Sequence, residues 1–243
     1  MKKNCYSANI SMQEYVRKFQ YNNTDVLTLS IKYPIISMKT NKKGEWLINN
    51  HIAINVDNYM RYAAHLYDQA VKFYHDSQEN NFPFHSYEAY MEYTITYNAN
   101  CILSLYVDKY EFTGGAHGST VRSSDTWNLC SGISLTINDY FEPGSDYRLM
   151  LTEEIIRQAE YNLQQNPGIY FDDYQGLIIK NLNQNSYYLT PLGLTIYYQQ
   201  YDIAPYSTGI VEFTIPYSTI GWYPRCSNKK WKKGRFIELT HVK

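Results

Sequence analysis

The segment Tyr110-Glu111-Phe112-Thr113-Gly114-Gly115-Ala116-His117-Gly118 holds the residues of this chain best suited to chemistry. An imidazole titrates near neutral pH, so His117 is a natural proton acceptor or donor. The surrounding glycines admit backbone angles that other residues resist, and they let a ligand or a second backbone come close. A general base also needs an orienting carboxylate and a group to activate. Glu111 and Asp125 are the neighbouring carboxylates, and Cys101 and Cys130 the thiols that could act as nucleophiles. Cys101, however, alternates with core positions, where a thiol is usually inert. No G-x-S-x-G element, paired acidic motif or HExxH helix accompanies the histidine. No catalytic residue is therefore assigned, and a hydrolase using His117 stands as the alternative.

A binding surface uses the same residues differently. Tyr110, Gly114, Gly115 and His117 form one group, and Tyr198, Tyr201 and Tyr206 form a second, tyrosine-rich group rich in neighbouring amides. Aromatic rings flanked by amides suit sugars, and tyrosines often dominate protein interfaces. The bland reading is a tight turn at Gly114-Gly115 with His117 bonded to backbone. No metal or cofactor is expected. His65 and His75 stand ten apart on one helix and so on different faces. Cys5, Cys101, Cys130 and Cys226 form no CxxC pair, and sequence leaves their disulfide state open.

These residues must be positioned by strands and helices. Leu27, Leu29, Ile31 and Tyr33 share one face of a strand over 26–36, which Pro34 places at an edge or end. Asp57 is a plausible N-cap for a helix to about Glu79, with Tyr59, Ala63, Leu66, Ala70 and Phe73 on its apolar stripe. Alternation over 89–97 and 101–112, around Asn98-Ala99-Asn100, predicts an antiparallel hairpin. A short strand at Thr126–Leu129 follows. Ser145 can cap a second helix from about Asp146 to Gln165, which Asn166-Pro167-Gly168 stops. Residues 169–185 read as loop. Strands are expected at 187–189, 194–199 and 210–215. The order predicts an α+β fold: a mainly antiparallel sheet with two principal helices packed on it, in a single compact body.

Composition agrees with a folded chain. Of 243 residues, 44 % are hydrophobic and 19 % charged, enough for a sizeable core. Tyrosine is abundant at 27, against 9 phenylalanines and 4 tryptophans, as expected for half-buried sheets and recognition surfaces. The net charge of −1 gives no reason to expect nucleic acid. Charge is uneven, with seven basic residues against one acidic between Arg225 and Lys243. The run Lys229-Lys230-Trp231-Lys232-Lys233-Gly234-Arg235 is read as a basic, solvated tail. No stretch is apolar enough for a transmembrane helix, and Met1-Lys2-Lys3 is not followed by the apolar core of a signal peptide.

The Tyr110–Gly118 segment resembles the Y-x-x-x-GGAH signature of two adjoining bacterial modules, DUF4163 and DUF3298. These occur in the extracellular region of the anti-sigma factor RsiV and ahead of the catalytic domain of the deacetylase PdaC. Tyr33-Pro34 with Ile35 is similar to the opening Y-P-x-I strand, and Ile48-Asn49 to an I-N element. Gly132–Phe141 is similar to G-x-x-L-x-L-x-D-L-F, although Thr136-Ile137 and Tyr140 depart from it. Gln200–Gly209 is similar to Q-Y-E-I-A-P-Y-x-x-G, and Ile215-Pro216-Tyr217 to I-P-Y. The resemblance implies a DUF4163-like module over 25–115 and a DUF3298-like module over 116–220, with a basic tail over 221–243. It implies non-catalytic binding outside the cytoplasmic membrane, to a lysozyme-like protein or a peptidoglycan fragment. An intracellular interaction scaffold is a further alternative. No deacetylase domain is seen in the chain.

Overall fold

A computed structural model describes residues 6–226; Cys5 and the basic run Lys229–Arg235 lie outside the described residues. The first half builds a six-stranded sheet in simple sequential order. Its strands are β1 (Asn9–Tyr21), β2 (Thr24–Ser37), β3 (Tyr87–Ala99), β4 (Ile102–Phe112), β5 (Ser119–Asn128) and β6 (Ile133–Ser134). β1 and β2 form a long hairpin whose turn residues Asn22 and Asn23 both have positive φ. β3 and β4 form another around Asn100 and Cys101, again both positive, as a two-residue turn matched to strand twist requires. β2 and β3 run parallel, so the sheet is not wholly antiparallel, and the intervening helix supplies the crossover that parallel strands need.

That helix, α1 (Lys42–Asn80), has 39 residues and is about 58 Å long at the usual rise. It begins fifteen residues before the position at which Asp57 would cap it. The cap is Asn41, whose side chain accepts from Gly44 N–H and donates to the carbonyls of Leu129 and Cys130. Ile48-Asn49 therefore lies inside the helix. The stripe Ile48, Ile52, Val56, Tyr59, Ala63, Leu66 and Ala70 is buried on the sheet. It meets Leu27, Leu29 and Ile31 of β2, Ala89, Met91 and Tyr93 of β3, and Leu103, Leu105 and Val107 of β4. Asn81, in the left-handed conformation, closes the helix by donating to Ser77 O.

The second half packs α2 (Tyr147–Gln165) and α3 (Tyr174–Asn181) on an antiparallel sheet of β7 (Tyr187–Leu189), β8 (Gly193–Tyr198) and β9 (Val211–Pro216). α2 is capped by Asp146, which accepts from Leu149 N–H. α3 falls within the stretch read as loop. Ile178 is fully buried against this second core, with Tyr174 and Leu177 packed beside it. The two cores exchange near residues 130–137: Leu129 belongs to the first and Ile137 to the second. The 115/116 boundary expected between modules thus falls inside the six-stranded sheet, because β5 pairs with β4 along its length.

The halves are clamped together. The Arg122 guanidinium of β5, almost fully buried, makes a bidentate pair with Asp108 at 2.6 and 2.7 Å and also meets Glu212 of β9. It lies 3.6 Å from the ring centroid of Tyr106. Ser104 Oγ accepts from Leu189 N–H, and Ser124 Oγ donates to Tyr187 O. Cys101, in the β3–β4 turn, forms a disulfide with Cys226, 125 positions later.

Candidate functional site: an aromatic surface at the junction of the halves

The loop 113–118 between β4 and β5 sits where the halves meet. Gly114 has φ +81° and faces the Phe73 ring, so a side chain there meets both a strained backbone and a filled space. Gly118 is buried, with the Tyr110 ring where its Cβ would project. Gly115 has open space around it and no such constraint. The loop is thus held against α1 by Gly114 and against β4 by Gly118, and the exposed His117 stands between them.

His117 Nδ1–H donates to Gly118 O at 3.0 Å, which leaves Nε2 as the outward acceptor of the neutral ring. The ring stacks on Tyr206, with centroids 3.8 Å apart and planes inclined by 20°. Tyr201 lies 6.0 Å from Tyr206 and is 55 % exposed. It has φ +68°, a conformation that costs an aromatic residue and that holds its ring outward. Tyr110 stacks on Tyr90 across the β3–β4 pair, 5.7 Å apart. Burial, then Glu88 and Tyr206 nearby, push its hydroxyl pKa upward. Tyr110, His117, Tyr201 and Tyr206, which lie up to 96 positions apart, therefore form one aromatic surface together with Gly114 and Gly115.

Tyr198 is not part of it. Its ring is 1 % exposed in the second core and its hydroxyl donates to Ile178 O, because β8 is buried along its whole length. Tyr90 is the member that sequence reasoning missed. The β3–β4 hairpin register, which pairs Tyr90 with Tyr110, was the available signal.

Two glutamines bring the second half over this loop. The free edge of β5 offers the N–H and C=O of Arg122, which pair with the side-chain amide of Gln199 at 2.9 and 2.7 Å. Gln200 Oε1 accepts from Thr120 N–H at 2.7 Å. These amides act as a substitute strand for three backbone groups. The turn after β8 is fixed by Asp202, which accepts from Gln199 N–H, and by Asn181 donating to Asp202 O. Ile203 and Ala204 are buried, and the 3-10 turn Tyr206–Thr208 then sets Tyr206 on His117.

Three of the four groups that could assist His117 in catalysis are engaged elsewhere. Asp125 pairs with His51 of α1 at 3.0 Å, Glu111 accepts from Tyr62, and Cys101 is in the disulfide. Cys130 is half-buried and bonds to no described cysteine. His65 stacks on Tyr62 and His75 meets Tyr21. Among the described residues, no three His, Cys, Asp or Glu side chains converge to hold a metal. No helix among them is long and apolar enough to cross a membrane.

Two family models match the chain. Residues 20–120 match the one described as Deacetylase PdaC, and residues 138–218 match Protein of unknown function (DUF3298). Peptidoglycan-N-acetylmuramic acid deacetylase PdaC of Bacillus subtilis (strain 168) is 22 % identical over 197 residues, or 76 % of this chain. The chain spans only 38 % of that protein's length. Among solved structures, a DUF3298-family protein of Bacteroides fragilis superposes with a TM-score of 0.70 at 21 % identity, over 90 % of this chain and 94 % of that one. One from Pseudomonas aeruginosa gives 0.59 at 18 %, over 89 % and 93 %. These neighbours share the sheet-dominated α+β fold.

Proposed function

We propose that this chain is a non-catalytic binding module for the bacterial cell wall, holding glycan strands on the Tyr110–His117–Tyr206–Tyr201 surface. The observation that carries this reading is the pre-stacked His117–Tyr206 pair beside an outward-held Tyr201. Stacked rings are already ordered before a ligand arrives, so binding does not have to fix them. Their faces suit the apolar face of a sugar ring, while His117 Nε2 and the tyrosine hydroxyls suit its hydroxyl groups. The matched relative is named for an activity on peptidoglycan, which supports a cell-wall ligand. The Cys101–Cys226 disulfide supports work in an oxidising compartment outside the cytosol. The engagement of Glu111, Asp125 and Cys101 elsewhere favours binding over hydrolysis by His117.

The test is co-sedimentation with purified peptidoglycan, and calorimetry with soluble glycan fragments. The unaltered chain binds, and Tyr206→Ala and Tyr201→Ala each weaken binding by about tenfold, as loss of a central aromatic contact does. Equal binding by both variants removes the site. The resemblance to modules of RsiV makes lysozyme the comparison ligand, and binding to lysozyme alone would replace the glycan reading with a protein one. Glycan cleavage that disappears in His117→Ala would replace it with a hydrolase.

A further inference from the structure

A second concavity lies on the opposite face of β4. It is a cleft of about 380 Å³ between α1 and the β4–β5 pair, within the lower range for small-molecule sites. Lys109 and Glu111 of β4 form its floor, with Val121 and Ser119 as their respective partners on β5. Asn58, Tyr59 and Tyr62 of α1 form the wall. None of these residues belongs to the aromatic surface, although Tyr110, between Lys109 and Glu111, projects its ring to that side.

The charges of the cleft are arranged in a specific way. Lys109 and Glu111 are two residues apart on one face of a strand, about 6.5 Å along the backbone. The Lys109 ammonium lies 5.8 Å from the centroid of the Tyr59 ring, and no salt bridge among the described residues includes it. Glu111 Oε2 accepts from the Tyr62 hydroxyl at 3.0 Å, which leaves Oε1 for another donor. A simple anion is attracted by Lys109 and repelled by Glu111, and a simple cation meets the reverse. A ligand with both an ammonium and a carboxylate satisfies both. Tyr62 and Val121, 41 % and 60 % exposed, offer apolar contact between these charges. The hydroxyl bond to Glu111 and the stacked His65 ring hold Tyr62 in place.

We propose that this cleft binds the zwitterionic peptide portion of a cell-wall fragment, a diamino-acid side chain together with a peptide carboxylate. This rests on the cell-wall reading above and extends it: sugar on one face of β4, peptide on the other. The probe is Nα-acetyl-L-lysyl-D-alanine, which has one ammonium and one carboxylate. Its controls are the same peptide with the side-chain amine acetylated, and with the C-terminus amidated. In ¹H–¹⁵N spectra of the intact chain, the free peptide shifts the backbone amides of Lys109, Glu111, Ser119 and Val121. Each cap weakens binding about threefold, as expected for a partly exposed ion pair. Lys109→Gln abolishes the effect of amidation only, and Glu111→Gln the effect of acetylation only.

Val121→Glu is a second variant at an exposed position. It weakens the amine-acetylated peptide further, by placing beside Lys109 a carboxylate that repels the peptide's own, and leaves the native spectrum elsewhere unchanged. No shift at these amides at about 10 mM peptide overturns the proposal, as does equal binding of the three peptides or shifts confined to His117 and Tyr206. Glycan binding is read separately through Tyr201→Ala and Tyr206→Ala. Peptide binding without glycan binding therefore refutes the first reading alone, and the converse refutes only this one.

Discussion

His51 links α1 to β5: its Nε2 lies 3.0 Å from Asp125 Oδ2, and Asn55 Nδ2 stands 3.2 Å from the same nitrogen. The ring also meets Trp127 edge-on at 5.3 Å. The hydrogen bond with Asp125 raises the His51 pKa above its ordinary value, against an opposing effect of burial. The folded state therefore holds this proton more tightly than the unfolded chain. The resulting stabilisation is fully present below about pH 6.5 and is lost as pH rises through the folded-state value. His51 is 41 % exposed, so solvent screening keeps the effect below about 1 kcal/mol. Urea denaturation across this range is expected to show stability falling with pH in the unaltered chain and a flatter profile in Asp125→Asn. An unchanged profile would assign the slope to other groups. His117 was legible as a residue on display, because glycines marked its loop. Its partner Tyr206, 89 positions away, was legible as a candidate tyrosine, but nothing in the chain showed that the two would touch.

Gln199 and Gln200 show how one element can be completed by another. Gln199 satisfies both backbone groups of Arg122 on the free edge of β5, and that contact places the Tyr206 turn over the loop. Gln199→Ala leaves those groups without protein partners and is expected to cost about 1–3 kcal/mol. Guanidinium denaturation measures the loss, and faster hydrogen exchange at the Arg122 amide localises it. The hairpin β3–β4 was legible because alternation and a turn signal agreed. β1 was not, since an edge strand that is mostly exposed on both faces keeps little alternation: only Ile10, Tyr15, Phe19 and Tyr21 lean on the core. The start of α1 was obscured by Gly44, a poor helix former. It is there because its Cα packs against Gly132, whose φ is +71°. Gly132→Ala brings a methyl group against that backbone and forces a strained φ. A loss of about 1–3 kcal/mol is expected, read from the same denaturation curves.

The whole molecule has two cores joined by polar groups as well as apolar ones: Ile102 of β4 is buried in the second core, and Tyr106 of β4 meets Tyr188 of β7. Arg122 with Asp108 and Glu212, Ser104 with Leu189, and the glutamine contacts bridge the cores. The Cys101–Cys226 disulfide closes a loop across nearly all of the second half. Removing it in Cys101→Ser/Cys226→Ser lengthens the free chain of the unfolded state and is expected to lower stability by about 2–4 kcal/mol. Calorimetric melting checks this: a lower midpoint supports a cross-link that stabilises the fold, and an unchanged midpoint assigns it another role. The segments 110–118 and 200–209 meet at the junction of the cores, so separating the halves is expected to divide the aromatic surface too.

The sequence by itself determined the α+β class, the second helix, the later part of the first, the hairpin, and the glycine loop with its histidine. Each depends on local periodicity, capping or turn chemistry, which is written in neighbouring residues. Only the tertiary structure decided which aromatic rings stand together, that Tyr198 is core, that Asp125 belongs to His51, and that Cys101 pairs with Cys226. Those outcomes depend on which faces are buried within each core and where the two meet, and contacts spanning 74 to 125 positions leave no periodic trace in the chain.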